Sequence, residues 1–270
     1  MNISFIGGGN MASALIGGLT AQGFDPSHIR VVDVSRETRE ALQARYPVQV
    51  FAALEAQVAD SEVIVLAVKP QQLREVAASL VPLLNRQLVI SIAAGVRAGD
   101  LSRWLGGHRQ LVRSMPNTPA MVSAGISGLY ALPEVAQVQR QQAETVLQAV
   151  GETLWLDEEA QMDAITAVSG SGPAYVFYFM EAMQAAAAEL GFSPRQARAL
   201  TLQTFLGAAK LASQSEEDAA TLRARVTSKG GTTERALGAM EEAAVKTAII
   251  RAIHAAARRS RELGDALGKE

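Results

Sequence analysis

The chain has 270 residues, 49% of them hydrophobic and 19% charged, with a formal net charge of -2. That length suits two domains, and the balance lacks the basic excess that would point to nucleic acid or an anionic membrane. Cysteine is absent, which excludes disulfides, thiolate nucleophiles, cysteine-ligated zinc and iron–sulfur clusters and fits a cytoplasmic protein.

The amino-terminal half alternates strand and helix. Ile3–Ile6 reads as a strand ended by three glycines, with no secretory leader expected before it. Met11–Gln22 has helical spacing, and Gly23 can cap it. The pattern continues with strand Ile29–Val34, helix Glu37–Arg45, strand Val48–Phe51 and strand Val63–Val68. It goes on with helix Gln71–Leu84, strand Leu88–Ala93 and a short helix Asp100–Leu105. Strands Leu111–Ser114 and Gly125–Tyr130, helix Val135–Val150 and strand Thr153–Leu156 close the unit. Near-continuous apolar strands imply a parallel sheet covered on both faces, and their alternation with helices implies a doubly wound α/β domain of the Rossmann type.

From about residue 160 the spacing becomes helical and alanine becomes dense. The domains are therefore expected at 1–158, a Rossmann domain, and 159–270, an all-helical domain. Ser193-Pro194 is a helix start, with a serine cap and proline in the first turn. The apolar run 174–190 carries Glu181 and Gln184 and falls short of the ~20 residues that span a bilayer, so it reads as a buried helix. The basic cluster Arg258-Arg259-Ser260-Arg261 reads as a helix end, where the dipole favours cations.

Gly7-Gly8-Gly9-Asn10-Met11-Ala12 follows the first strand and opens a helix. In that context Gly7 makes the tight turn, Gly9 admits a pyrophosphate and Ala12 allows close helix–strand packing. Asp33 ends the next strand and can accept from the ribose hydroxyls of NAD; Ser35 and Arg36, which follow, can bind the 2′-phosphate of NADP instead. The cofactor is accordingly NADP or NAD, with Arg36 tilting the choice slightly to NADP. Ala67-Val68-Lys69-Pro70 and Ser91-Ile92-Ala93-Ala94-Gly95 end strands on the crevice side, and the small residues Ala93 and Gly95 leave room for a nicotinamide ring.

Two prolines stiffen Met115-Pro116-Asn117-Thr118-Pro119 and would hold Asn117 in a fixed direction. Ser169-Gly170-Ser171-Gly172-Pro173 and Val226-Thr227-Ser228-Lys229-Gly230-Gly231-Thr232-Thr233 each place hydroxyls and free N–H groups at a helix start, which suits a carboxylate as well as plain capping. His28, His108 and His254 have no metal-ligand spacing, and no metal site is expected.

FIGGGNMA, AVKP, SIAAG, RSMPNTPA, AVSGSGPAY and VTSKGGTTE, in this order over residues 3 to about 235, resemble the pyrroline-5-carboxylate reductase family. The resemblance implies NAD(P)H-dependent reduction of Δ1-pyrroline-5-carboxylate to L-proline, the last step of proline synthesis. It puts Gly7, Gly9, Asn10, Met11 and Ala12 on the dinucleotide loop, Ala67, Lys69 and Pro70 on a second cofactor loop, and Asn117 and Pro119 near the nicotinamide. It also puts Val226, Ser228, Gly230, Gly231, Thr232 and Thr233 on the substrate carboxylate loop, with the Thr233 hydroxyl at the ring nitrogen as the catalytic group. Lys229 stands where several relatives carry proline. The resemblance makes 1–158 the dinucleotide-binding domain and 159–270 the substrate and dimerisation domain. Family members form dimers through the helical domain, often arranged into decamers. Rival readings are a reductase of a related cyclic imine, a β-hydroxyacid dehydrogenase and a non-catalytic dinucleotide sensor. The dehydrogenase needs a catalytic lysine after the linker, and no lysine lies between Lys69 and Lys210.

Overall fold

A computed structural model describes residues 1–269. Among them, eight strands form one sheet in the order β3-β2-β1-β4-β5-β6-β7-β8. The strands are β1 (Ile3–Ile6), β2 (Ile29–Val32), β3 (Gln49–Phe51), β4 (Val63–Leu66), β5 (Leu88–Ser91), β6 (Leu111–Met115), β7 (Gly125–Ala131) and β8 (Gly151–Trp155). The helices packed on them are α1 (Asn10–Ala21), α2 (Arg36–Arg45), α3 (Pro70–Leu80), α4 (Ala98–Trp104) and α5 (Gln137–Gln148).

The central strands are almost wholly apolar because both faces are covered, and the exceptions, Ser4 on β1 and Ser91 on β5, are themselves buried. Ile3, Phe5, Val63, Val65, Leu88 and Ile90 share one core with Leu15, Ile16 and Leu19 of α1 and Val146 and Leu147 of α5. Their neighbours Ile6, Ile64, Leu66 and Val89 point the other way, into a second core with Leu73, Ala77 and Leu80 of α3 and Leu101 of α4. A two-residue period thus feeds both cores from one strand.

Strands β1 to β6 run parallel, as the pattern implies. β7 departs from it and runs antiparallel to β6. The link from Met115 to Gly125 holds only a short 3₁₀ turn, Thr118–Val122, and a parallel crossover needs a dozen residues or more. The longer link through α5 restores a parallel pairing of β7 with β8. α3 stops at Leu80, short of the expected Leu84, and a 3₁₀ turn over Val81–Leu83 follows. Pro82 has no N–H with which to extend the ladder.

Two tertiary features anchor the end of this sheet. The Arg113 guanidinium, buried on β6, donates to Glu159 Oε1 at 2.9 Å. The same oxygen accepts from the Ala98 N–H at 2.6 Å and so caps α4 from 61 positions away, which is why α4 starts two residues before the expected Asp100.

The chain divides into two compact units, one of Met1–Ser171 with the stretch from Ala256 on, the other of Gly172–Ala255. The first also holds α6 (Gln161–Ile165) and a π-helical turn, Thr166–Gly170. The second holds α7 (Gly172–Glu189), α8 (Pro194–Ser213), α9 (Ala219–Arg225), α10 (Thr232–Glu242) and the start of α11 (Val245–Leu267). The expected start of α8 is present as a capping box. Ser193 Oγ accepts from the Gln196 N–H, and Gln196 Oε1 accepts from the Ser193 N–H at 3.0 Å. Arg258–Arg261 lies inside α11 rather than at a helix end, since that helix runs on to Leu267. No described helix is long and apolar enough to cross a membrane.

Ser114 on β6 is 1% exposed and its hydroxyl has no hydrogen-bond partner. Replacing it by alanine removes a buried polar group whose desolvation costs about 1–3 kcal/mol. Ser114→Ala is expected to stabilise the fold by about 1 kcal/mol, read as a higher urea midpoint with unchanged slope; a lower midpoint refutes this. The half-buried His108 ring bonds the Gln87 carbonyl at 2.8 Å through Nε2. Burial holds its pKa below the usual 6.5, against the opposing pull of its bonds to Gln87 and Gln110. The unfolded chain therefore takes up the proton first, and stability falls as pH drops below 6.5. Melting curves of His108→Gln should lack that part of the acid slope.

Candidate active site

The carboxyl ends of the central strands are laced together by single backbone bonds. The Gly7 N–H donates to the Val32 carbonyl at 2.8 Å, the Ala67 N–H to the Ile6 carbonyl at 2.8 Å, and the Ile92 N–H to the Leu66 carbonyl at 3.1 Å. The strand order reverses at β1 and β4, which is where an open α/β sheet leaves a ligand crevice. A cavity of about 370 Å³ opens there, lined among others by Gly7, Gly9, Asp33, Ala67 and Lys69.

Each glycine of the loop has its own reason. Gly7 has φ +98°, and a Cβ on it would stand 2.7 Å from the Ala67 carbonyl oxygen, so a side chain is excluded twice over. Gly9 is the N-cap of α1 with ordinary backbone angles, and a Cβ on it would meet no atom within 4 Å. The space above Gly9 is open, and no acidic side chain sits in the first turn of α1. The first intrahelical bond of this turn runs from the Ser13 N–H to Gly9, which leaves the N–H groups of Asn10, Met11 and Ala12 facing outward at the positive end of the helix dipole. Ala12 is buried beneath them. These features fit a dinucleotide pyrophosphate.

Asp33 braces this cradle. Its Oδ2 accepts from the Gly8 N–H at 2.7 Å and its Oδ1 from the Ser35 N–H at 2.8 Å. Arg39, which sequence reasoning passed over, donates through Nη1 to the carbonyls of Asp33 and Val34 at 2.6 and 3.0 Å. The loop after β2 is thus held from two sides. Ser35 caps α2 by accepting from the Thr38 N–H at 3.2 Å. Arg36 is 82% exposed and pairs with Glu40 at 2.7 Å. Such a pair is weak enough to exchange for a ligand phosphate. Lys69 is exposed at the cavity rim, and Pro70 opens α3.

Three further residues lie differently from a simple pocket lining. Asn117, 8% exposed, accepts from the Ile126 N–H at 2.9 Å and donates to the Ser169 carbonyl at 3.2 Å. Its carboxamide joins the proline-stiffened loop to β7 and to the π-helical turn. Ala93 is buried, and Gly95, at φ +82°, faces the last turns of α11. Ala94 is the exposed tip between them.

In the helical unit the Val226–Thr233 segment forms a tight bend. Gly230 has φ +72°, and a Cβ on Gly231 would stand 2.5 Å from Ser228 Oγ. The Gly230 N–H donates to Glu234 Oε2 at 2.7 Å, and the Gly231 N–H to the Ser228 carbonyl at 3.0 Å. Gly231 is the N-cap of α10 and supplies no side chain to it. The first helical bond belongs to Arg235, so the N–H groups of Thr232, Thr233 and Glu234 point out of the helix start. Val226, Ser228 and Lys229 are exposed on the same bend.

Comparison with known proteins agrees in both units. Residues 159–263 match the family model described as pyrroline-5-carboxylate reductase dimerisation, and residues 2–95 match one described as NADP oxidoreductase, coenzyme F420-dependent. A pyrroline-5-carboxylate reductase of Pseudomonas aeruginosa is 49% identical over 99% of this chain and 98% of its own. A solved pyrroline-5-carboxylate reductase of Coxiella burnetii superposes with a TM-score of 0.92 at 43% identity, covering 97% of this chain and 98% of that one. The Plasmodium falciparum pyrroline carboxylate reductase, solved with NADP bound, superposes with a TM-score of 0.87 at 27% identity, covering 98% of each chain.

The brace at Asp33 separates two roles for that carboxylate. Asp33→Asn turns an amide NH₂ toward the Gly8 or Ser35 N–H and loses a charge-assisted bond worth about 1.5–3 kcal/mol. KM should rise about 10-fold or more for NADPH and NADH alike. A rise confined to NADH would assign Asp33 to the ribose hydroxyls instead.

Proposed function

The chain belongs to the pyrroline-5-carboxylate reductase family, and we infer that it reduces Δ1-pyrroline-5-carboxylate to L-proline with NADPH or NADH, the last step of proline synthesis. The observation that carries this reading is the Gly230-Gly231 bend. Gly230 takes the left-handed backbone and Gly231 packs closely under Ser228, and the bend sets three outward N–H groups and Thr233 at the start of one helix.

In this proposal the N–H groups of Asn10, Met11 and Ala12 bind the pyrophosphate, with Gly7 and Gly9 giving it access. Ser35 and Arg36 take the 2′-phosphate of NADP, the preferred cofactor. Ala67, Lys69 and Pro70 flank the dinucleotide, and Ala93, Gly95 and Asn117 shape the ground beside the nicotinamide. When bound, the reduced nicotinamide supplies the hydride. Val226, Ser228, Gly230, Gly231 and Thr232 receive the substrate carboxylate, which suits a positive helix start. The Thr233 hydroxyl accepts from the protonated imine N–H and so fixes the plane of the ring. A protonated imine is already electrophilic, so the protein's task is to hold its carbon in near-attack position, a contribution of up to roughly 7–11 kcal/mol in favourable systems.

The enzyme is a homo-oligomer through its helical unit. Tyr178 is 73% exposed there, with Phe177, Leu206 and Leu211 also bare, more apolar surface than a lone helical unit leaves to water. The proposal extends to decamers of such dimers and to a cytoplasmic site of action.

The test is absorbance at 340 nm with the five-membered imine, its six-membered homologue and both cofactors. Wild-type should favour the five-membered ring and NADPH; no turnover of either imine rejects the reading. Thr233→Ala should lower kcat by about 10-fold or more, in the range of a lost positioned hydroxyl, with an unchanged melting temperature. Turnover equal to wild-type would remove Thr233 from the mechanism.

A further inference from the structure

The last turns of α11 belong to the Rossmann unit although the helix begins in the other, and they pack against the loop that leaves β5 and against the helices α4 and α6. Gly264 is buried there, and a Cβ on it would stand 3.1 Å from the Gly95 carbonyl oxygen. On the opposite side, a Cβ on Gly95 would stand 3.2 Å from Leu267 Cδ1. Two residues without side chains thus let helix and loop backbones touch. Arg97, just beyond the loop, pairs with Asp265, and the Arg103 guanidinium donates to the Gly268 carbonyl at 3.0 Å. One turn earlier the buried Ser260 hydroxyl donates to Asp163 Oδ1 at 2.6 Å and fixes the helix on α6.

We propose that this end of α11 is a clamp that sets the position of the Ala93–Gly95 loop, and through it the nicotinamide, so that Gly264 and Asp265 are positioning residues for hydride transfer. The inference rests on the reading above that places the nicotinamide beside this loop. Gly95, at φ +82°, is packed against Leu263, Gly264 and Leu267 of the helix, while the start of the loop is tied to the sheet through the Ile92 and Ala93 N–H groups. The pyrophosphate is gripped elsewhere, at α1, so the clamp governs the placement of the ring more than the affinity for the dinucleotide. Reacting atoms must approach to about 3–3.5 Å, and a misplacement of about 1 Å can cost 10²-fold in rate.

The experiment uses the full chain with Gly264→Leu, Asp265→Ala and Asp265→Glu. It reads kcat, NADPH dissociation by fluorescence, the primary isotope effect with C4-deuterated NADPH, and the melting temperature. Gly264→Leu should lower kcat by about 10-fold or more with cofactor affinity nearly unchanged and a larger isotope effect, as hydride transfer becomes limiting. Asp265→Ala cuts an exposed ion pair, so its loss should be smaller, about 2- to 5-fold, and Asp265→Glu should restore it. A folded Gly264→Leu enzyme with wild-type kcat and isotope effect overturns the clamp, as does a loss lying wholly in cofactor affinity. If that variant does not fold, a wild-type kcat and isotope effect in Asp265→Ala overturns it instead. Wild-type protein that does not turn over the five-membered imine rejects the functional reading, a result distinct from these.

Discussion

The Asp33 carboxylate ties the glycine loop after β1 to the loop after β2, on the crevice side of the sheet. One oxygen takes the Gly8 N–H and the other the Ser35 N–H. Both bonds are charge-assisted, and both partners are backbone amides that cannot rotate away. The glycine loop is otherwise poorly restrained, since it has no side chains to pack. Its shape comes from this carboxylate, from the Gly7 N–H bond to β2 and from the Ala67 carbonyl that leaves room for no side chain at Gly7. The space over Gly9 is a consequence of that restraint.

The second bend obeys the same logic with different parts. Gly230 takes the left-handed backbone, and Gly231 packs closely under Ser228. The bend is closed by Glu234, whose carboxylate reaches back to the Gly230 N–H. In both units a carboxylate holds the backbone of a glycine turn, and the turn then presents N–H groups at a helix start. Lys229 is exposed and takes no part in these bonds, so a charge at this position is compatible with the bend.

Much of the architecture was legible because local pattern and tertiary demand coincide. Ile3–Ile6 and Leu88–Ser91 are each three-quarters apolar since both of their faces are buried, and Ser193-Pro194 starts α8 through bonds confined to four residues. What was illegible depends on partners distant in sequence. The start of α4 is fixed by Glu159, 61 positions on. The direction of β7 follows from the shortness of its connection, which strand pattern does not encode. The basic cluster Arg258–Arg261 has the composition of a helix end, yet Gly264 and Leu267 carry the helix onward because they pack on Gly95. The candidate site divides along the same line. Its glycines and helix starts could be read from spacing, whereas the bridging duty of Asn117 between Ile126 and Ser169 could not.

The chemistry explains why the site is made of such parts. Reducing a protonated imine requires no proton abstraction and no covalent intermediate, so a strongly shifted acid or base would gain little. What does gain rate is alignment of two reacting carbons, and alignment is a property of backbone. The chain accordingly invests in positions where the main chain itself is constrained: a left-handed glycine against a carbonyl, a bare glycine under a serine, a proline-stiffened turn pinned by a buried asparagine. A side-chain acid could be moved and retuned by a single substitution. Constraints of this kind are spread over several turns in each unit, and the weak points of each are then the residues that hold those turns.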